Sequence, residues 1–235
     1  MRLAKYLATA GVASRRAAEG LVRAGRVTVA GARVTDPARD VGPDDPVAVD
    51  GTPVSDQQAR VVYAVNKPPG VVSTARDPQG RPTVVSLLPA GVRLYPVGRL
   101  DIDTTGLILV TNDGELAHRL THPSFEVEKT YRVVVEHPPV REATLKALRD
   151  GVELEDGLTA PARVTRIRAD TLEIAIHEGR KRQLKRMCET VGHPVKRLER
   201  IRFGPLELGD LSRGRWRKLT DAEVETLTAA ASRPM

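Results

Sequence analysis

The chain has 235 residues, 40% of them hydrophobic, enough for one or two domains with a real core. Lys and Arg number 37 against 30 Asp and Glu, a formal net charge of +7, and no apolar stretch has the length of a membrane span, a secretory h-region or a lipid anchor. This excludes a membrane protein and leads us to expect a cytoplasmic one. The single cysteine, Cys188, excludes an internal disulfide, and no Cys/His cluster has metal-ligand spacing. None of the histidines 118, 122, 137, 177 and 193 is read as a ligand.

In chain order, Leu3, Tyr6, Leu7 and Ala10 share one face of a first helix that Gly11 ends. Ser14 can cap a second helix, whose Ala17, Ala18, Leu21 and Val22 face the same core and which stops at Gly25. Val27 and Val29 then alternate before a turn at Ala30 and Gly31, and residues 47–49 make the last strand of this small module. Residues 1–33 hold seven basic side chains and one acid, Glu19, so Arg2, Lys5, Arg15, Arg16, Arg23 and Arg26 read as a phosphate-binding face. We expect this module over 1–50, a linker over 51–60 and a larger domain over 61–235.

The larger domain opens with a strand that runs into Pro68-Pro69-Gly70, where the prolines forbid helix. Residues 75–93 read as a loop with a helical turn at 84–88. Short apolar runs at 94–97 and 107–110 read as buried strands, and Asn112 or Asp113 can cap a helix over 115–121. A strand through Val133 and Val135 follows, then a helix over 139–148, strands at 162–167 and 171–176, and a basic helix near 181–191. Leu184, Met187, Cys188 and Val191 are spaced to form that helix's core face. A strand at 198–203 and a helix after the Thr220 cap close the chain. Because the links between strands are mostly of hairpin length, the fold class is α+β, with a mixed, largely antiparallel sheet flanked by helices.

Between the strands at 94–97 and 107–110 lies a loop holding Arg99, Asp101, Asp103, Thr104 and Thr105. Such a density of polar groups belongs at the mouth of a cleft, although short polar loops of this kind are more often only turns. A second basic concentration, nine basic residues against two acids, spans residues 180–202. With the N-terminal patch removed as well, the rest of the chain is net acidic, so the basicity is gathered into two surfaces.

The segment GRLDIDTTGLILVTNDGELAHRL resembles the signature of the pseudouridine synthases that modify ribosomal RNA, in the branch with an N-terminal S4-type RNA-binding domain. NKPPGVVST at 66–74, EKTYRV at 128–133, EGRKRQLKRM at 178–187 and VKRLERIRFGPLELGDL after it resemble further family segments in the family's order. The resemblance covers nearly the whole chain. It implies isomerisation of a specific uridine in ribosomal RNA, most closely that of the large subunit, with no cofactor, metal or nucleotide cofactor, by a monomer acting in ribosome biogenesis.

The resemblance also implies roles for particular residues. Asp101 matches the nucleophile, and Tyr131 matches the tyrosine that packs on the target base. Lys185 stands where the family places the cation that faces the nucleophile, with Arg180 and Arg186 as alternatives. Arg99 matches a position that fills the space of the extruded nucleotide; by itself it reads equally as a phosphate contact or a partner of Asp103. Leu198 is a candidate pocket wall or a core residue. Arg180, Lys181, Arg182 and Arg186 are candidate phosphate contacts. Three rival readings stay open: a small-subunit rRNA enzyme, a non-catalytic rRNA-binding assembly factor, and an RNA N-glycosidase using the same carboxylate.

Overall fold

A computed structural model describes residues 1–42, 44–54 and 58–232. The chain folds as two compact units: Met1–Val61 with Ala90–Arg93 and Asn112–Gly114, and Val62–Pro89, Leu94–Thr111 and Glu115–Met235.

In the smaller unit, helices α1 (Leu3–Thr9) and α2 (Arg15–Arg23) precede strands β1 (Val27–Val29), β2 (Ala32–Val34), β3 (Val47–Val49) and β4 (Thr52–Pro53). The strands pair antiparallel in the order β2-β1-β3-β4. The Ser14 hydroxyl accepts from Ala17 N at 3.1 Å, the N-cap that starts α2. Leu3, Leu7, Ala18, Val22, Val27, Val29, Val34, Val41 and Val47 form one apolar cluster, which explains why so short a sheet persists. The basic side chains Arg2, Lys5, Arg15, Arg16, Arg23 and Arg26 are all exposed. Two residues expected in the linker, Thr52 and Pro53, instead add the fourth strand, because the turn at Asp50-Gly51 folds them back onto β3. Residues 55–57 of that stretch lie outside the described residues.

The larger unit contains β5 (Val62–Lys67), β6 (Tyr95–Val97), β7 (Thr105–Thr111), α3 (Gly114–Thr121, whose first residue belongs to the smaller unit), β8 (Lys129–Val135) and α4 (Glu142–Asp150). It continues with β9 (Glu153–Leu154), β10 (Gly157–Leu158), β11 (Arg163–Arg168), β12 (Thr171–Ile176) and α5 (Gln183–Thr190). The chain finishes with β13 (Val195–Phe203), β14 (Leu206–Glu207), β15 (Trp216–Lys218) and α6 (Asp221–Ala230). Apart from the β9–β10 hairpin, the strands form one nine-stranded sheet whose main path runs β11-β12-β8-β13-β7-β5-β15. Among the described residues β13 and β7 are the one parallel pair of its strands, so the sheet is mixed and largely antiparallel.

Two apolar clusters pack on this sheet. One joins Val133, Val135, Leu172, Ile174 and Leu198 to Leu145 and Leu148 of α4 and to Leu184, Met187 and Cys188 of α5. Each fully buried leucine of this kind contributes roughly 1.5–3 kcal/mol. The other joins Val62, Leu107, Leu109 and Phe203 to Leu116, Leu120 and Leu227. Burial pushes the Cys188 thiol up to about 12, so it is a packing residue without thiolate character. Thr220 and Glu223 form a reciprocal capping box at the start of α6.

One local expectation is corrected. The helix expected from residue 139 begins at Glu142, because the Pro138-Pro139 pair and the extended Arg141 delay it. Within the smaller unit the Asn112 side chain accepts from Val61 N at 2.8 Å and donates to Ala59 O at 3.0 Å.

Candidate active site

The β6–β7 loop is held from beneath by the Pro-Pro-Gly turn. Gly70 N donates to Ile102 O at 2.8 Å, and the Ser73 hydroxyl donates to Leu100 O at 2.9 Å while accepting from Leu100 N at 3.1 Å. The Lys67 side chain, fully buried, donates to Pro68 O at 3.0 Å, Val71 O at 2.8 Å and Ile102 O at 3.3 Å. Burial pushes its ammonium down to about 8, although Asp103 and Asp101 act to hold the charge. Lys67 is thus a tie between the turn and the loop that carries Asp101. Thr104 N closes the loop on Asp101 O at 3.1 Å.

Asp101 opens onto a cleft of about 650 Å³, lined by the loop, by one face of β8 and β13, and by residues 176–184. The parallel pairing of β13 with β7 places Glu199 opposite Thr105 and Arg200 opposite Gly106. A Cβ on Gly106 would stand 2.3 Å from Arg200 O, so glycine is required for that approach. Arg200 is in register with Tyr131, and Leu198 with Val133. Alternation along β8 and β13 therefore turns Lys129, Tyr131, Leu198 and Arg200 toward the cleft.

Lys185 reaches across to the loop. Its ammonium lies 3.5 Å from Asp101 Oδ2 and donates to Asp103 Oδ1 at 2.5 Å. The Lys185 hydrogen bond holds the Asp103 carboxyl below its ordinary value against the opposing effect of burial. Lys185 therefore faces Asp101, while Asp103 anchors the cation. Arg99 lines the same cleft and is exposed; Asp103 is taken by Lys185, and Arg99 has no ion pair among the described residues. Leu198 belongs both to the apolar cluster and to the cleft wall.

The arginines offered as alternatives to Lys185 are committed elsewhere. Arg180 donates to Gly157 O at 2.7 Å, Leu158 O at 2.6 Å and Glu178 Oε2 at 3.2 Å. Arg186 grips Asp156 through two bonds of 2.9 and 3.0 Å, which holds the Asp156 carboxyl below its ordinary value. Both side chains clamp the β9–β10 hairpin, though Arg180 also lines the cleft. Lys181 and Arg182 stand exposed at its rim without an ion pair among the described residues.

Three contributors went unread in the sequence: Lys67, Lys129 and Arg200. Arg200 is 2% exposed; its Nε donates to Leu107 O at 2.6 Å, and its Nη1 lies 3.5 Å from the Tyr131 hydroxyl. A signal existed for Lys129, which shares the inward phase of Tyr131 and Val133 and is therefore a cation at a core-facing position. Arg200 became visible only through the strand pairing.

The RNA pseudouridylate synthase family matches residues 61–190, and the S4 domain matches residues 1–47. Ribosomal large subunit pseudouridine synthase B of Bacillus subtilis (strain 168) is 43% identical over 98% of this chain and 96% of its own length. Ribosomal small subunit pseudouridine synthase A of Yersinia pestis is 40% identical, covering 97% of this chain and 99% of the relative. A crystal structure of a pseudouridylate synthase superposes with a TM-score of 0.72 at 32% identity, covering 97% of this chain and 99% of the other. The fold, the S4 module and this similarity along nearly the whole length place the chain in the RNA pseudouridine synthase family, whose members are isomerases.

Proposed function

We propose that the chain isomerises a uridine of ribosomal RNA to pseudouridine, acting on the large subunit, with Asp101 as the nucleophile. The observation that carries this reading is the pairing of Asp101 with Lys185 at the mouth of a cleft walled by Tyr131 and Leu198. A stacked uridine hides its glycosidic bond, so the target is flipped into the cleft, where Tyr131 packs on the base. Lys185 orients Asp101, and the carboxylate serves as the covalent handle while the base is turned. Arg99 fills the vacated space, and Lys181 and Arg182 hold phosphates at the rim. Residues 1–50 deliver the RNA and residues 61–235 do the chemistry. The small subunit is a second reading, favoured by the similarity to the Yersinia pestis relative.

Carbodiimide mapping of pseudouridines in ribosomal RNA from cells with and without the gene tests the target. One large-subunit site should disappear with the gene; a lost small-subunit site would favour the second reading. Mass measurement on the RNA separates the chemistries: isomerisation leaves the mass unchanged, whereas an N-glycosidase removes the base. Asp101→Asn should abolish product and leave the RNA dissociation constant close to wild type, since the amide keeps the shape and loses the nucleophile. Turnover near the wild-type rate would remove Asp101 from that role.

A further inference from the structure

On the sheet face below Tyr131 and Leu198, two cations stand together without a counter-charge. The Lys129 ammonium lies 5.3 Å and the Arg200 guanidinium carbon 4.9 Å from the centre of the same ring, Phe203. Neither side chain is ion-paired with a carboxylate among the described residues. Arg200 Nη2, within a side chain that is nearly fully buried, has no hydrogen-bond partner. The acids that line the cleft are otherwise engaged: Asp101 with Lys185, and Glu178 with Arg180 and Gln183. The Phe203 ring, together with the Tyr131 ring 5.9 Å from the Arg200 guanidinium carbon, does not neutralise them. Burial and the charge of Arg200 push the Lys129 ammonium down to about 8, as expected where the fold alone leaves like charges uncompensated. Such an arrangement opposes folding and points to an anion supplied by the substrate.

We propose that Lys129 and Arg200 form an anion-receiving floor for the uracil ring, holding the negative charge that develops on its carbonyl oxygens while the base is detached from the sugar. This rests on the isomerisation reading above. When the C1′–N1 bond breaks, its electron pair stays with the ring and spreads onto O2 and O4, while C1′ bonds to an oxygen of Asp101. When C5 then supplies the pair that makes the C5–C1′ bond, the carboxylate leaves with the C1′–O pair. The proton lost from C5 balances the one gained at N1, so no co-reactant is needed. A backbone phosphate is the poorer occupant: the phosphates of a flipped nucleotide stay toward the mouth, where Arg99, Lys181 and Arg182 are exposed, whereas Arg200 is buried beneath the site of the base.

The test combines Lys129→Met and Lys129→Arg with full-length RNA substrates carrying uridine, 2-thiouridine or 4-thiouridine at the target, since sulfur is a weaker hydrogen-bond acceptor than oxygen. Single-turnover rate at saturating enzyme and the RNA dissociation constant are both measured. Lys129→Met should slow the rate about 100-fold, as loss of a charge-stabilising donor does. Its dissociation constant should stay within about twofold of wild type, and Lys129→Arg should keep most of the rate. At one of the two positions sulfur should slow the wild type, and should slow Lys129→Met much less, because the two changes remove the same interaction. A raised dissociation constant with an unchanged rate would mean a phosphate contact and overturn the proposal. So would penalties that multiply independently at both positions. Should Lys129→Met fail to fold by circular dichroism, the wild type decides alone: no slowing with either thio substrate overturns the floor. Absence of any carbon-linked nucleoside from the wild type on all-oxygen RNA would fell the isomerisation reading and this proposal together. Failure of the thio tests alone leaves that reading standing.

Discussion

Lys185 touches two carboxylates, and their different distances assign them different work. The 2.5 Å bond to Asp103 fixes where the ammonium sits, and the 3.5 Å approach to Asp101 is what that position achieves. Lys185→Met should therefore lower the single-turnover rate by about 100-fold, while Asp103→Asn, which loosens the cation without removing it, should cost about tenfold. Lys185→Arg should retain much of the rate. Lys181→Met should raise the RNA dissociation constant with little change in rate at saturation; the same result for Lys185→Met would make Lys185 a phosphate contact instead. Lys129 makes a separate prediction about stability. Its value of about 8 in the folded chain lies below the ordinary 10.5 of an unfolded lysine. Between those values the unfolded chain holds more protons, so this residue's contribution makes the fold more stable as pH rises from 8 to 10.5. Below that window the half-buried ammonium destabilises the fold by at most about 3 kcal/mol. Lys129→Met should consequently be more stable than wild type in urea at neutral pH, and the gap should close toward pH 10.5. A gap that stays constant with pH would show that the ammonium is not desolvated.

Among the elements, the parallel pair β7–β13 makes the site, because it alone brings Arg200 beneath the loop of Asp101. Gly106 permits it, with φ of +99° and the Arg200 backbone against its missing Cβ. Gly106→Ala should destabilise the chain by about 2 kcal/mol or more, combining positive-φ strain with the steric clash. Thr220→Ala, which removes only a cap, should cost about 1 kcal/mol. Urea midpoints for both variants check the order, and equal losses would remove Gly106 from this role. The same pair marks where the sequence stops being legible. Periodicity and turn residues locate α1, α2, β1, β11, β12, α5 and α6 because those signals are local. They also carry the Asp101 loop, since its strands and glycines bracket it. The short β9, β10 and β15 have too few residues to show a period, and β13 reads as six residues instead of nine because Val195, Lys196 and Arg197 alternate poorly. Register across strands is not local at all, so the pairing of Tyr131 with Arg200 could not be read, nor could the capture of Arg180 and Arg186 by the β9–β10 hairpin.

Across the whole molecule the counter-ions already present decide which exposed cations are free for RNA. In the S4 module, Arg23 pairs with Glu19 at 3.3 Å and Arg26 grips Asp50 through its Nε at 2.9 Å. Arg2, Lys5, Arg15 and Arg16 are exposed with no side-chain ion pair among the described residues. Each phosphate neutralised releases condensed counter-ions, steepening the fall of log affinity with log salt by about 0.9 on duplex and about 0.7 on single strands. Replacing Arg2, Lys5, Arg15 and Arg16 together by Gln in the full chain should flatten that slope by up to about 3.6 on duplex or about 2.8 on single strands and weaken binding at low salt. Arg23→Gln with Arg26→Gln should change it less, because those guanidiniums must first give up a carboxylate and Glu19 and Asp50 would be left unpaired near the phosphates. The single-turnover rate at saturating enzyme should be unaffected by either set, since these residues stand in a different compact unit from Asp101. Filter binding of ribosomal RNA fragments across a salt series measures both slopes. A slope unchanged by the fourfold replacement would show that the face of α1 and α2 does not meet RNA, and would leave the second basic concentration, residues 180–202, as the main phosphate-binding surface.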